Sequence, residues 1–451
     1  MEERTYEAEL ALLEAGDFSG LRKELSEWNE VDIADFLEEL GPKDMIKVFR
    51  ILPKDISAEV FSYLEADNQE SIVASITNKE LRNLVEDLYL DDVVDFLEEV
   101  PANVVSRVLK VTSPDTRKEI NTFLNYPEDS AGSIMTNEMI TLHDSMTVRD
   151  AIRYIRATGE DKVSIYTVYC IDATRHLIGT IELADLIYHT SDTLIRDIMD
   201  DDKQLIFVRT MDDQEEVAEV VKHYDLLSVP VVDKEDRLVG IVTVDDVIDI
   251  LQEEATEDIE KMAAITPTDK PYLRTGIFET YKARMPWLLL LMISATFTGA
   301  IITKFEDALA TFVVLTAYIP MLMDTGGNSG SQASVSVIRA LSLGDVEFRD
   351  VLKVIWKEIR VAVLCGITLA AANFVKLILL DKLALMVALV VCLTLVLVVL
   401  VAKIIGCTLP MLADKAGLDP AVMASPFITT LVDAIALVTY FKLATVLLHI
   451  A

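Results

Sequence analysis

The sequence predicts a multidomain protein in three parts: an all-α superhelical N-terminal domain, a duplicated α/β domain, and a five-span α-helical transmembrane domain. Three observations predict it. Charge divides the chain, because residues 1–270 hold 62 acidic against 26 basic side chains while residues 271–451 hold 12 against 14. Two internal repeats with different hydrophobic grammar fill the acidic part, and long apolar runs begin near residue 285. With 52% hydrophobic residues in 451, the chain is built for two solvents, water first and lipid after.

The acidic half repels nucleic acid and anionic headgroups, which argues against a nucleic-acid-binding function and makes a cation the natural partner. Met1 to Glu7 carry neither a basic n-region nor an apolar stretch, so this end is expected to stay in the cytoplasm. Cys170, Cys365, Cys392 and Cys407 are scattered, three of them in apolar runs, and read as small core residues.

From about residue 5 to 130 the pattern is helical, with short apolar stripes punctuated at Gly41-Pro42, Leu52-Pro53 and Ser113-Pro114. The stretch Val31 to Leu40 (VDIADFLEEL) returns sixty residues later as Asp91 to Val100 (DDVVDFLEEV), which predicts stacked helical hairpins sharing one core. A second repeat follows, in which Leu177 to Ile187 matches Leu238 to Ile248 and Ile134-Met135 matches Ile198-Met199. Each copy runs from apolar strands such as Val229-Pro-Val-Val232 through a Gly-led strand into a helix with an acidic cap. These motifs resemble a tandem pair of CBS domains over roughly 133–258. Such pairs often bind adenine nucleotides, so ATP is a candidate ligand, with contacts at Asp185 and Asp246. Ala184 beside the first offers no basic group to a phosphate.

Hydrophobic runs at about 286–302, 309–323, 361–380, 383–406 and 427–448 approach or exceed the ~20 residues that cross a ~30 Å hydrocarbon layer. Five spans put the termini on opposite sides. Arg339, Arg349, Lys353, Lys357 and Arg360 cluster between spans two and three, against Lys304 and Lys382 in the connections after spans one and three, so the N-terminus is expected inside and the C-terminus outside. Tyr281 and Trp287 are expected at the cytoplasmic interface of span one. Ahead of it, Glu253 to Glu260 leads through a Pro267 to Pro271 break into an amphipathic connection.

An ionisable residue inside a span is costly and is a functional candidate by default. Asp433, within the Pro426 to Asp433 stretch, lies on the order of 10 Å inside its span, and Asp324 lies where the second span is expected to end. The Gly326 to Gly330 run is a poor helix interior, at about 1 kcal/mol per Gly relative to Ala, so irregular backbone is expected there, its carbonyls facing a cavity or a protein partner. Close helix packing through small residues is the other reading. Carbonyls and carboxylates are hard ligands suited to Mg²⁺, Ca²⁺ or Mn²⁺.

Pro320-Met-Leu, Gly327-Asn328-Ser-Gly330-Ser-Gln332, the Pro426 to Asp433 stretch, the CBS pair and the acidic helical domain, in this order, resemble the MgtE family of magnesium channels over essentially the whole chain. Asp324 ahead of the glycine run departs from some relatives. The resemblance implies a homodimer in a bacterial-type inner (plasma) membrane with one central pore, and Mg²⁺ held near paired copies of Asp433. Backbone carbonyls of the run around Gly327, with Asn328, are expected to align the ion's waters, Thr429 is expected beside the path because it lies four residues before Asp433, and Asp324 is the further carboxylate candidate. The resemblance also implies regulatory Mg²⁺ at Glu59, Asp91 and Asp95 in the first domain and at Asp213, Glu215, Asp225, Asp246 and Asp249 in the CBS pair. Glu254, Glu257 and Asp258 in the linker and Asp419 between spans four and five complete that set. The domains it implies are 1–132, 133–258, a connecting (plug) helix at 259–284, and 285–451.

No P-loop, nucleophile elbow or His pair at metal-ligand spacing occurs, so an enzyme is not expected. A secondary transporter coupled to H⁺ or Na⁺ is the alternative, since Asp433 could titrate.

Overall fold

A computed structural model describes residues 6–199, 205–268, 272–273, 275–305, 312–423 and 425–449. It comprises two compact units, Met1–Leu251 and Gln252–Ala451.

The first unit opens with ten short helices, from α1 (Glu7–Ala15) to α10 (Pro114–Phe123). They are short because polar caps and prolines interrupt the apolar stripe every ten or so residues. At α7 (Asn78–Asp87), Thr77 N–H donates to Glu80 Oε2 at 2.6 Å while Glu80 N–H donates to Thr77 Oγ1, a reciprocal capping box. α10 opens with Pro114 in its first turn, where the missing N–H would have had no partner.

The two copies of the first repeat fall on α3 (Glu30–Glu38) and α8 (Leu90–Glu99), and their matching Phe36 and Phe96 are both buried. Phe61 meets Phe96 edge-on at 5.3 Å, so aromatic rings mark the axis of the array. Contacts mostly link a helix to the one two ahead, from α3 with α5 to α8 with α10. Neighbouring helices such as α1 with α2 and α3 with α4 also pack together, and the two repeats stand five helices apart in the array.

Two three-stranded sheets follow, β1-β2-β3 (Thr141–His143, Thr167–Ile171, Leu177–Glu182) and β4-β5-β6 (Val208–Arg209, Ser228–Val232, Leu238–Thr243). In each the first pair is parallel and the second antiparallel, with a register shift at the same place, Cys170/Ile171 and Val231/Val232. The duplication read from sequence is therefore a duplication of topology. Their helices are α11 (Val148–Thr158) and α12 (Leu183–Tyr188), then α13 (Gln214–Tyr224) and the start of α14 (Val244–Met262).

The second unit contains the end of α14, then α15 (Ile277–Lys304), α16 (Ile319–Ser342), α17 (Val351–Leu379), α18 (Leu385–Lys415) and α19 (Ser425–Leu447). Helix ends at Met262 and resumes at Ile277, so the expected connecting helix over 259–284 is interrupted; Pro271 lies outside the described residues. Among the described residues, α15, α17, α18 and α19 are long and apolar enough to cross a membrane. α18 is the centre, buried along most of its length and packed on α16, α17 and α19. The apolar window of α15 is unburied, with Leu288, Ile293 and Phe297 outward, which suits lipid.

The second expected span is displaced. Pro320 stands in the first turn of α16 and does not close a span, and the helix continues unbroken through Gly326 to Gly330. Residues 309–311 of that expectation lie outside the described residues.

Candidate functional site

α16 divides cleanly between two faces. Gly326, Gly327, Gly330 and Ser334 are buried, whereas Asp324, Asn328 and Gln332, spaced four apart, share one exposed stripe. A Cβ on Gly326 would lie 2.6 Å from Val398 Cγ1 of α18 and 2.9 Å from Val432 Cγ1 of α19, and one on Gly327 would lie 2.9 Å from Thr429 Cγ2. A Cβ on Gly406 would collide with the carbonyl of Gly330. The glycines thus bring three helices backbone to backbone, and the expected irregular backbone is corrected: tight packing repays their propensity cost. Their carbonyls belong to the helix ladder.

This packing sets α19 so that the half-buried Asp433 feels the charge of Asp324. Thr429, one turn before Asp433, presses its methyl on Gly327 and donates its hydroxyl to the Pro426 carbonyl at 2.9 Å, so its contacts are those of a packing residue. Sequence reasoning counted two carboxylates as intramembrane and missed a buried charged pair. Glu358 of α17 pairs with Lys403 of α18 at 3.4 Å, with only 12% and 6% of their side chains exposed. The signal was Lys403 inside an apolar run; Glu358 escaped because the span was begun at 361, ten residues after α17 starts.

A second acidic group lies in the first unit, where α8 faces the start of α14. Burial pushes Asp91 up to about 7, with repulsion from Asp92 and Asp246 adding to it. Asp92 is raised to about 6 by burial, Asp246 and Glu59. Asp95 is raised to about 8 by burial first and then by Asp91, Asp92, Asp246 and Glu98, although its side chain keeps more solvent than the other two. Asp246 is raised by burial, although it accepts a 2.5 Å bond from Thr243 Oγ1. Asp91 Oδ1 is buried with no hydrogen-bond partner among the described residues, an orphan acceptor of the kind a cation satisfies. Among the described residues no three His, Cys, Asp or Glu side chains converge as around a bound ion, so these are mutually repelling acids and not a closed cage. Asp92 was not among the expected residues, because Asp91 and Asp95 were carried over from the family resemblance, which did not include it.

The other expected residues are more dispersed. Asp213 caps the start of α13 by accepting from Glu215 N–H at 2.9 Å, and Asp225 caps its end with φ 51°, about 16 Å along the helix. They cannot share an ion within one chain. Asp249 is exposed on α14, and Asp185 lies in the first turn of α12 with its carbonyl 2.7 Å from His189 Nδ1. In the second unit Glu254, Glu257 and Asp258 lie on α14, with Asp419 just ahead of α19. Glu257 and Asp419 both contact Lys261, a residue that sequence reasoning passed over. Burial and then the Asp419 charge raise Asp258, with Lys261 partly opposing.

Residues 319–443 match the model of the MgtE divalent cation transporter domain, 28–129 that of the MgtE intracellular N domain, and 131–192 and 195–253 that of the CBS domain. A magnesium transporter MgtE of Thermus thermophilus is 37% identical over 453 residues, with both chains covered in full. The chain belongs to the MgtE family. A second member, the magnesium transporter MgtE of Bacillus subtilis, is 32% identical over 93% of this chain and 94% of its own. Among solved structures, the cytosolic domain of the Mg²⁺ channel MgtE in complex with ATP has a TM-score of 0.51 at 38% identity, covering 53% of this chain and 98% of that one. The soluble part of a magnesium transporter scores 0.52 at 32% identity, over 55% and 98%. The MgtE assignment makes the chain a multi-pass membrane protein of a transporter class.

Proposed function

We propose that this chain, as a homodimer in a bacterial-type inner membrane, is a Mg²⁺-selective channel closed by cytoplasmic Mg²⁺. The observation that carries the reading is the exposed stripe Asp324, Asn328, Gln332 on a helix whose opposite face is locked by glycine packing. Hydrocarbon cannot solvate such a stripe, so it needs water or a second copy of itself, and a two-fold arrangement supplies both. α16 is then the fifth span, polar because it lines the path, and five spans put the C-terminus outside.

Mg²⁺ gives up water reluctantly and is best held through its hydration shell. Asp433 and Asp324 supply the negative charge, Asn328 and Gln332 orient the bound waters, and the family's naming as magnesium transporters supports Mg²⁺ as the cargo. Regulation is supported by the Asp91, Asp92, Asp95 and Asp246 group. Without ions these acids repel, and with Mg²⁺ between them the compact arrangement is favoured by its differential affinity. Several weak sites acting together steepen the response. Asp185 and Asp246 are offered as nucleotide contacts in the CBS pair, because the cytosolic domain of a relative is described in complex with ATP.

The test is Mg²⁺ flux into liposomes holding the purified protein, with membrane potential and pH gradient set independently. Currents that reverse at the Mg²⁺ equilibrium potential with no proton or sodium gradient are expected; a requirement for either gradient would establish coupled transport instead.

A further inference from the structure

Near the end of α14 the Lys261 ammonium lies between two acids from different segments. Glu257 Oε1, one turn earlier on the same helix, is 2.5 Å away, and Asp419 Oδ2, in the connection ahead of α19, is 2.8 Å away. Asp419 is itself fixed, since its other oxygen accepts from Ala421 N–H at 2.7 Å and so opens the short turn Pro420–Met423. Beside the ion pair, Met262 packs against Ala421 and against Ile338 of α16. One small junction therefore joins the end of α14, the helix with the polar stripe, and the connection into the helix that carries Asp433.

Electrostatics decides what else this junction can hold. A Mg²⁺ bridging Glu257 Oε1 and Asp419 Oδ2 would need the two oxygens the ammonium already contacts, and one bound through any other oxygen of these carboxylates would still stand close to a fixed positive charge. We propose that Lys261 is a tethered cation that does here what a bridging Mg²⁺ would do: it ties the end of α14 to the α18–α19 connection whatever the Mg²⁺ concentration. Mg²⁺ sensing is left to carboxylates without such a partner. The inference rests on the channel reading and narrows it, removing Glu257 and Asp419 from the regulatory ligands while Lys261 is in place.

The test uses the full chain carrying M262C/A421C, treated with a short bis-maleimide, with the 262–421 linked peptide counted by mass spectrometry. The linked peptide is expected equally in EDTA and in millimolar Mg²⁺. Adding K261M, which keeps the apolar stem, should lower it about fivefold in EDTA, the size of a partly exposed ion pair, with recovery in Mg²⁺ because the two acids then need a divalent ion. K261R should behave as the parent, and D419N, which keeps the lysine, should lose the link in both conditions. Equal linking of K261M and parent in EDTA, or a parent that itself needs Mg²⁺, would overturn the proposal. Mg²⁺ flux of the parent is measured alongside; its absence breaks the channel reading and leaves the cross-linking result for Lys261 standing.

Discussion

Asp324 and Asp433 stand on helices that glycine holds backbone to backbone, whereas Asp91, Asp92, Asp95 and Asp246 stand on α8 and α14, helices of two different domains whose facing charges repel. Both groups bring carboxylates within reach of one another's charge. The helices of the first are packed at the level of main-chain contact, so sliding one past another there would break that packing. The second stores repulsion that a cation or a proton can relieve. On the function proposed above, an ion path needs a fixed geometry and a sensor needs a bias that can be overturned, and the two acidic groups fit those two roles.

The comparison is tested most severely by Asp433→Ala. Flux in liposomes is expected to fall to that of protein-free vesicles, and the purified variant should keep its thermal stability, since the half-buried carboxylate has no basic partner among the described residues to strand. Retained flux would remove Asp433 from the path. Next in size is Gly406→Val, which sets side-chain atoms against the Gly330 carbonyl that a helix cannot move aside. A loss of about 1–3 kcal/mol is expected from overpacking, read as a lower melting temperature in detergent. A neutral result would mean the crossing is loose and the contrast in rigidity is wrong.

Asp91→Asn combined with Asp95→Asn should act in the opposite direction. Removing two repelling charges should stabilise the Mg²⁺-free protein by on the order of 1 kcal/mol and flatten its response to Mg²⁺, measured as hydrogen-exchange protection of α8 in the full chain. Unchanged protection with an intact Mg²⁺ response would place sensing elsewhere. The smallest effect is that of pH. Carboxylates raised in the folded state bind protons more tightly folded than unfolded, so their stabilising contribution is complete below about pH 4 and is lost as pH climbs through about 6 to 8. Protection of α8 without Mg²⁺ should therefore fall between about pH 5.5 and 8, and Mg²⁺ should restore more of it at about pH 8. Protection that rises with pH would reverse the sign of the argument.

Particular residues show how much was legible beforehand. Phe36 and Phe96 could be paired from the repeat alone, and both are core residues of the helical array, because burial of a large apolar side chain is encoded locally by its period. The second repeat predicted two equal folding units, and the strands match down to the register shift. The glycine run was visible but misassigned to irregular backbone, because helix propensity is a single-chain property while the compensating closeness comes from Val398, Thr429, Val432 and Gly406. Lys403 with Glu358 and Lys261 with Asp419 were not paired, since each pair joins residues far apart in the chain and neither partner announces the other.

The sequence by itself determined the division between acidic and apolar parts, the two repeats and the carboxylates inside apolar runs, which follow from composition and short-range spacing, while the family and the other acidic candidates came from the resemblance its motifs carry. Only the tertiary structure decided that α16 is a continuous helix with a polar stripe, that Asp92 joins Asp91 and Asp95, and that Glu257 and Asp419 already hold a lysine. The physical reason is one of range: propensity and periodicity act over a few residues, whereas desolvation, backbone contact and charge pairing depend on what distant segments bring to the same point.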